Sequence, residues 1–231
     1  ADYVLVAFPE DPKLWVPQSR FVQTTRPDQN GTFSIKGLPD MDKTIFDFDA
    51  SNLQTSAKDL ELLIPKLTNR AKFSLPEQLH QFGLIKFAGT FQGLYNLFDV
   101  KGDFDTKLGA VHTDSKIDIR KEISYQGHLA SGAFQLGELI GSKSIKNTAL
   151  AFDFDGHSLD FNKMKLQLDG GLRNFQFGNY SYDSVEVSGL LDQKLIDVTG
   201  FIQDRNAQLA YDAKVDLQSE EASYDLSADV D

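Results

Sequence analysis

Four histidines, His80, His112, His128 and His157, and a recurring Asp-x-Asp spacing are the residues of this sequence best placed to do chemistry. A zinc site needs two histidines at short helical or hairpin spacing, and these four are dispersed along the chain with no such pair. They read as scattered strand or surface histidines. The pairs Asp47/Asp49, Asp103/Asp105 and Asp153/Asp155 set two carboxylates on one face of a strand about 6.6 Å apart, close enough to share a Ca²⁺. The Gly-Gly-x-Gly-x-Asp turns of a calcium β-roll and the spacing of an EF-hand are both missing, so the pairs read as wet-face charges that keep a long sheet from aggregating. Gly156-His157-Ser158 is not the Gly-x-Ser-x-Gly elbow of a nucleophilic serine, and Gly83 and Gly89 lack the spacing and the lysine of a phosphate loop. With no cysteine, thiol catalysis, disulfides and thiolate metal sites are excluded. The expectation is a protein without metal, cofactor or catalytic centre.

What remains unusual is apolar. The 231 residues include 18 Phe and 7 Tyr, within a globular composition of 41% hydrophobic and 25% charged residues. Such aromatics ordinarily fill a core; on a sheet face that no second sheet covers, they would instead offer a surface for acyl chains. The charge balance is acidic, with 34 Asp+Glu against 23 Lys+Arg and a formal net charge of −11. A nucleic-acid partner would be repelled. No run approaches the roughly 20 apolar residues of a membrane-spanning helix, and the N-terminus carries no basic-then-apolar leader pattern.

The elements that would position these side chains are mostly strands. Period-two alternation marks Ile85-Phe87-Gly89-Phe91, Phe98-Val100-Gly102-Phe104, Leu150-Phe152-Phe154, Met164-Leu166-Leu168, Val185-Val187, Ala207 to Leu217 and Tyr224 to Val230. Each has one apolar and one polar face, as a half-buried antiparallel strand requires. Two or three short helices are expected. One is capped at Thr55 or Ser56 and ends before Pro65, a second is capped by Ser74 with Gly83 as its stop, and a third spans Leu136 to Ile140. Similar strands repeated at regular spacing point to an elongated, solenoid-like sheet. Residues 1–40 differ: they hold five of the seven prolines and the only tryptophan, and they read as short strands, Tyr3 to Phe8, Arg20 to Thr25 and Thr32 to Ile35, around a turn at Asp28-Gln29-Asn30-Gly31.

Residues 1–40 resemble the latter part of a carboxypeptidase regulatory-like β-sandwich. The resemblance rests on Val4 to Pro9, Leu14-Trp15, Ser19-Arg20 and Arg26-Pro27-Asp28-Gln29-Asn30-Gly31-Thr32-Phe33 leading to Gly37-Leu38-Pro39. Asp40-Met41-Asp42-Lys43 stands where that family has a closing Gly-x-Tyr strand, which places a boundary at about Pro39 to Lys43 and predicts separate cores for 1–40 and 41–231.

Residues 41–231 resemble the AsmA superfamily, in particular its TamB-like Bacteroidetes-type envelope proteins. The matching stretches are Phe46-Asp47-Phe48-Asp49, Asp59-Leu60-Glu61, Leu75-Pro76-Glu77-Gln78-Leu79, Ile85 to Gly93, Phe134 to Gly141 and Leu168-Asp169-Gly170. The resemblance implies a mainly β, elongated antiparallel β-taco that bridges the periplasm of a Gram-negative bacterium. Its apolar groove would conduct phospholipid acyl chains or assist outer-membrane assembly proteins, and this chain would be an interior segment. On that expectation the lining is Phe87, Phe91, Phe98, Val100, Phe104, Phe152, Phe154, Leu166, Leu168, Leu209, Tyr211 and Val215. The alternative reading, favoured by residues 1–40, is a surface adhesion or carbohydrate-binding β-module.

Overall fold

The computed structural model describes residues 20–23, 30–37, 40, 43–68, 74–75, 77–205, 208–219 and 221–230. Thirteen strands form one antiparallel sheet in which spatial order equals sequence order. They are β1 (Arg20–Gln23), β2 (Asn30–Lys36), β3 (Ile45–Ser56), β4 (Leu84–Leu94), β5 (Leu97–Thr106), β6 (Gly109–Asp118), β7 (Ser124–Gln135), β8 (Asn147–His157), β9 (Lys165–Phe177), β10 (Tyr180–Asp192), β11 (Leu195–Gln203), β12 (Gln208–Asp216) and β13 (Ser223–Val230). Short reversals explain much of the order, since a tight turn brings the chain back beside the strand it has just left, while β3–β4 and β7–β8 pair across longer helical connections. At Gln193-Lys194, between β10 and β11, both turn residues take positive φ (51° and 74°), the geometry that matches the twist of a two-residue hairpin. The sheet is the elongated, helix-poor β architecture expected from the alternation.

Three helical segments lie at β3–β4 and β7–β8. Helix α1 (Ala57–Thr68) starts at Ser56, whose Oγ accepts the Asp59 N–H at 3.3 Å and donates to the Asp59 carboxylate at 2.7 Å. It runs through Pro65 rather than ending before it, so the helix accommodates a residue that has no N–H for the ladder and whose ring crowds the preceding turn. The second segment is a 3-10 helix, Glu77–Phe82, ending at Gly83 with φ 66°. Ser74 does not cap it. Its hydroxyl donates to Glu61 of α1 instead, and the same Glu61 carboxylate accepts the Leu75 N–H at 2.8 Å. Helix α2 (Leu136–Ile140) matches its expected span and stops at Gly141, φ 71°.

The expected boundary near residues 39–43 falls partly on positions outside the described residues, as do the strand at Tyr3 to Phe8 and most of the proline-rich stretch. On either side of that boundary β2 and β3 pair directly, from Lys36 opposite Ile45 to Asn30 opposite Asn52. The described part of residues 1–40 therefore continues the same sheet.

Apolar side chains gather in two clusters on one face. The first centres on Ala50, Phe87 and Val100, and the second on Phe152, Leu172 and Val185. Between them Thr113, Ser115 and Ser131 are buried, with the Thr113 hydroxyl donating to the His128 carbonyl at 2.8 Å. Ala57, Leu108 and Phe134 are buried where the helices meet the sheet, and Phe82 of the 3-10 helix lies 6.2 Å from Phe134, ring to ring.

Candidate functional site

Cross-strand register decides which side chains share a face, because a shift of one residue would reverse the parity of a whole strand. Here the register carries apolar parity from β4 to β13 in four rows. One row runs Phe98, Ile117, Tyr125, Gly156, Leu166, Leu191, Ile196, Val215, Tyr224. The next takes Phe91 and Val100, then Ser115, Gly127, Phe154 and Leu168, and continues through Gly189, Val198 and Ala213 to Leu226. A third holds Phe152, Gly170, Val187, Gly200 and Tyr211, and the fourth pairs Phe87 with Phe104 and, further along, Leu150, Leu172, Val185, Ile202 and Leu209. All twelve residues expected to line the groove thus stand on one side of the sheet. Phe87, Val100 and Phe152 are buried; Phe91, Phe98, Phe104, Phe154, Leu166, Leu168, Leu209, Tyr211 and Val215 are half-buried.

How a single sheet buries phenylalanines without a second sheet is visible at the glycines. A Cβ at position 170 would stand 2.8 Å from the Phe152 ring, and one at position 200 would stand 2.4 Å from the Tyr211 ring. Each aromatic lies down across a glycine of the neighbouring strand, so ring and backbone cover each other. Elsewhere rings cover rings: Phe87 sits 4.6 Å from Phe104 and 4.8 Å from Phe91, centroid to centroid. The Tyr211 hydroxyl donates to the Glu186 carbonyl at 2.8 Å, and burial pushes its phenol above the ordinary range.

The opposite face is polar and cross-linked by charge. His112 contacts Asp103 and His128 contacts Asp153, each at 2.9 Å, while Lys101 reaches Asp114 at 2.8 Å. Lys165 meets Asp192 at 2.9 Å and Lys214 meets Asp197 at 3.6 Å. Two of the Asp-x-Asp pairs therefore spend one carboxylate on a histidine of the adjacent strand, and Asp47 of the third accepts a bond from Gln92 at 3.1 Å. Among the described residues no three His, Asp or Glu side chains converge. Ser158 sits in the β8–β9 turn with φ 61°, its N–H bound to the Ile123 carbonyl at 2.7 Å, which gives it a structural place.

One cavity of about 520 Å³ opens over β8 to β11. Its wall takes Leu150, Leu172 and Val187 from the second cluster and adds Arg173, Glu186, Ser188 and Thr199.

Sequence reasoning left out Ile117, Leu129, Leu150, Leu172, Val185 and Ile202, which share the apolar face. Leu150 and Val185 stood inside recognised alternations. On β6 the pattern Val111-Thr113-Ser115-Ile117 is apolar only at its ends, which hid that strand's contribution.

No protein-family model, no curated protein and no solved structure matches this chain.

Proposed function

We propose that this chain is a non-enzymatic segment of a periplasmic, envelope-spanning protein, in which the apolar face of the sheet guides phospholipid acyl chains or assists outer-membrane assembly. The observation that supports this reading is the shared register: one face carries the apolar parity from β4 to β13, interrupted by the polar Thr113 and Ser115 on β6 and Ser131 on β7, and the thirteen described strands belong to one sheet, so among the described residues no second sheet is stacked on that face. A face of this kind matches the chemistry of an acyl chain, which needs apolar contact along its length and no hydrogen bonds. The acidic opposite face keeps the sheet in water. No helix among the described residues is long and apolar enough to cross a membrane.

The test is photo-crosslinking in a diderm host from two neighbouring positions of β8. A crosslinker at the half-buried Phe154 should capture phospholipid, and one at the exposed Asp153 on the other face should not. Absence of lipid from position 154, or equal capture from both, overturns the proposal.

A further inference from the structure

The cavity over β8 to β11 opens on the polar face of the sheet. Phe152 and Tyr211 lie across Gly170 and Gly200 on the apolar side, yet the cavity touches both glycines and neither ring, so it reaches their backbone from the other side. Register agrees. Ala149, Ala151, Gly171, Ser184, Ser188 and Thr199 share the parity of Asp153 and Asp169, and they are small enough to leave a hollow between the taller Arg173, Glu186 and Phe201. Leu150, Leu172 and Val187 point towards the second apolar cluster and lend the cavity their backbone.

Four polar side chains at this hollow are unpaired. The Arg173 guanidinium, the Glu186 carboxylate and the Ser184 and Thr199 hydroxyls have no hydrogen-bond or ion-pair partner among the described residues, although elsewhere on the face Lys101, His128, Lys165 and Lys214 each meet an aspartate. Arg173 and Glu186 are near each other all the same. Arg173 stands opposite Ser184 and Gly171 opposite Glu186, which sets the two charges on a cross-strand diagonal of about 7–8 Å. Phe201 is out of place too. It puts a half-buried aromatic ring on the polar face, with Glu186 and Ala210 as its cross-strand neighbours, and belongs to neither apolar cluster.

We propose that this hollow binds a neutral saccharide. Its volume of about 520 Å³ suits a ligand of one or two sugar rings. Arg173 can only donate and Glu186 can only accept, whereas the hydroxyls of a pyranose do both, so one ring set between them satisfies both without carrying charge. The Phe201 ring covers the C–H face of the sugar, and the Ser184 and Thr199 hydroxyls add adaptable bonds at the floor. Charged ligands fit worse. An anion drawn to Arg173 would meet Glu186 and, in the neighbouring row, Asp153 and Asp169, and a cation drawn to Glu186 would meet Arg173. The site lies on the face opposite the proposed acyl path and does not depend on it.

The probes are maltose, cellobiose, lactose and N,N′-diacetylchitobiose, with phosphocholine as a charged comparison, each titrated into the full chain and read by the amide resonances of residues 184–188 and 199–201. At least one disaccharide should shift these resonances saturably. Arg173→Ala and Glu186→Ala should each weaken that binding about tenfold or more, and Phe201→Leu, which keeps apolar bulk but loses the flat ring, should weaken it as well. Arg173 and Glu186 are exposed, so their variants should fold, which circular dichroism checks. Asp105→Asn, an exposed position of the same face away from the cavity, should leave binding as in the wild type. Three results would overturn the inference. They are no shift at these residues with any of the four disaccharides, binding of phosphocholine in preference to all of them, and disaccharide binding that Arg173→Ala and Glu186→Ala leave unchanged.

Discussion

At the scale of single residues, the apolar face depends on contacts too close for any added atom. Gly200 is the clearest case, since a Cβ there would stand 2.0 Å from the Glu186 carbonyl oxygen and 2.4 Å from the Tyr211 ring. Backbone cannot retreat without disturbing the ladder that β10, β11 and β12 share. Gly200→Ala should therefore lower stability by about 1–3 kcal/mol, the usual cost of overpacking, as measured by the urea midpoint. An unchanged midpoint would mean that Tyr211 swings away at no cost. On the polar face, the Arg120 guanidinium donates through Nε to Asp118 at 2.9 Å and, with the Arg120 N–H, holds that carboxyl down at about 2. Its folded value lies below its ordinary 3.8, so the stabilising contribution is complete above that ordinary value and is lost as pH falls towards 2. Asp118→Asn should lower stability modestly at pH 7, where the contribution is complete, and flatten its fall between pH 4 and 2; urea midpoints from pH 7 to 2 decide it.

At the scale of elements, one side chain ties the two helical segments between β3 and β4 to each other. Glu61 on α1 accepts bonds from the Leu75 N–H, from Ser74 and from His80, tying the start of the 3-10 helix to α1. The Leu75 N–H is the main reason its carboxyl lies below the ordinary range, with partial burial opposing and His80 and Ser74 assisting. The tether is thus strongest above the ordinary glutamate value of 4.5 and loosens as pH drops through the lowered one. Protection factors of residues 77–82, which correct for the intrinsic slowing of exchange in acid, should fall in the wild type as pH drops below the ordinary glutamate value, and Glu61→Gln should show the lower protection already at pH 7. Protection in that segment that depends on neither pH nor Glu61 would remove the tether from the account. The period-two pattern fails at bulges: Ala50 and Leu53 both join the first cluster although an odd number of positions separates them, because a register shift lies between them. The same occurs between Ser131 and Phe134 on β7.

At the scale of the whole molecule, all the described strands lie in one sheet, with no second sheet among the described residues to share its load, so one polar intrusion in a cluster should spread. Phe152 is 7% exposed and packs in the second cluster with Leu172 and Val185. Phe152→Asp would remove that packing and leave a carboxylate without a partner, a loss of at least about 3 kcal/mol. Asp153→Asn, one residue along on the polar face, gives up only an exposed contact with His128 and should shift the midpoint very little. Circular dichroism melts of the two variants provide the comparison, and equal destabilisation would contradict the assignment of faces. If Phe152→Asp unfolds the chain, lipid contact is better probed from half-buried positions such as Phe154 or Leu168.

Alternation in β4, β5, β8, β9 and β12 by itself determined those strands, their two faces and the membership of all twelve expected lining residues in the apolar set, because the pleat converts sequence parity directly into side-chain direction. Gly141 and Leu136–Ile140 likewise made α2 legible, as local capping chemistry needs no distant partner. Distant partners decided the rest. Only tertiary pairing brought Phe152 over Gly170 and Tyr211 over Gly200, placed Glu61 on Leu75 and matched Asp103 with His112, since each contact joins segments whose registration depends on every turn and bulge between them. The order of the sheet is a global property of the same kind. Alternation says that a strand has a dry face, but the side chains that keep it dry belong to its neighbours.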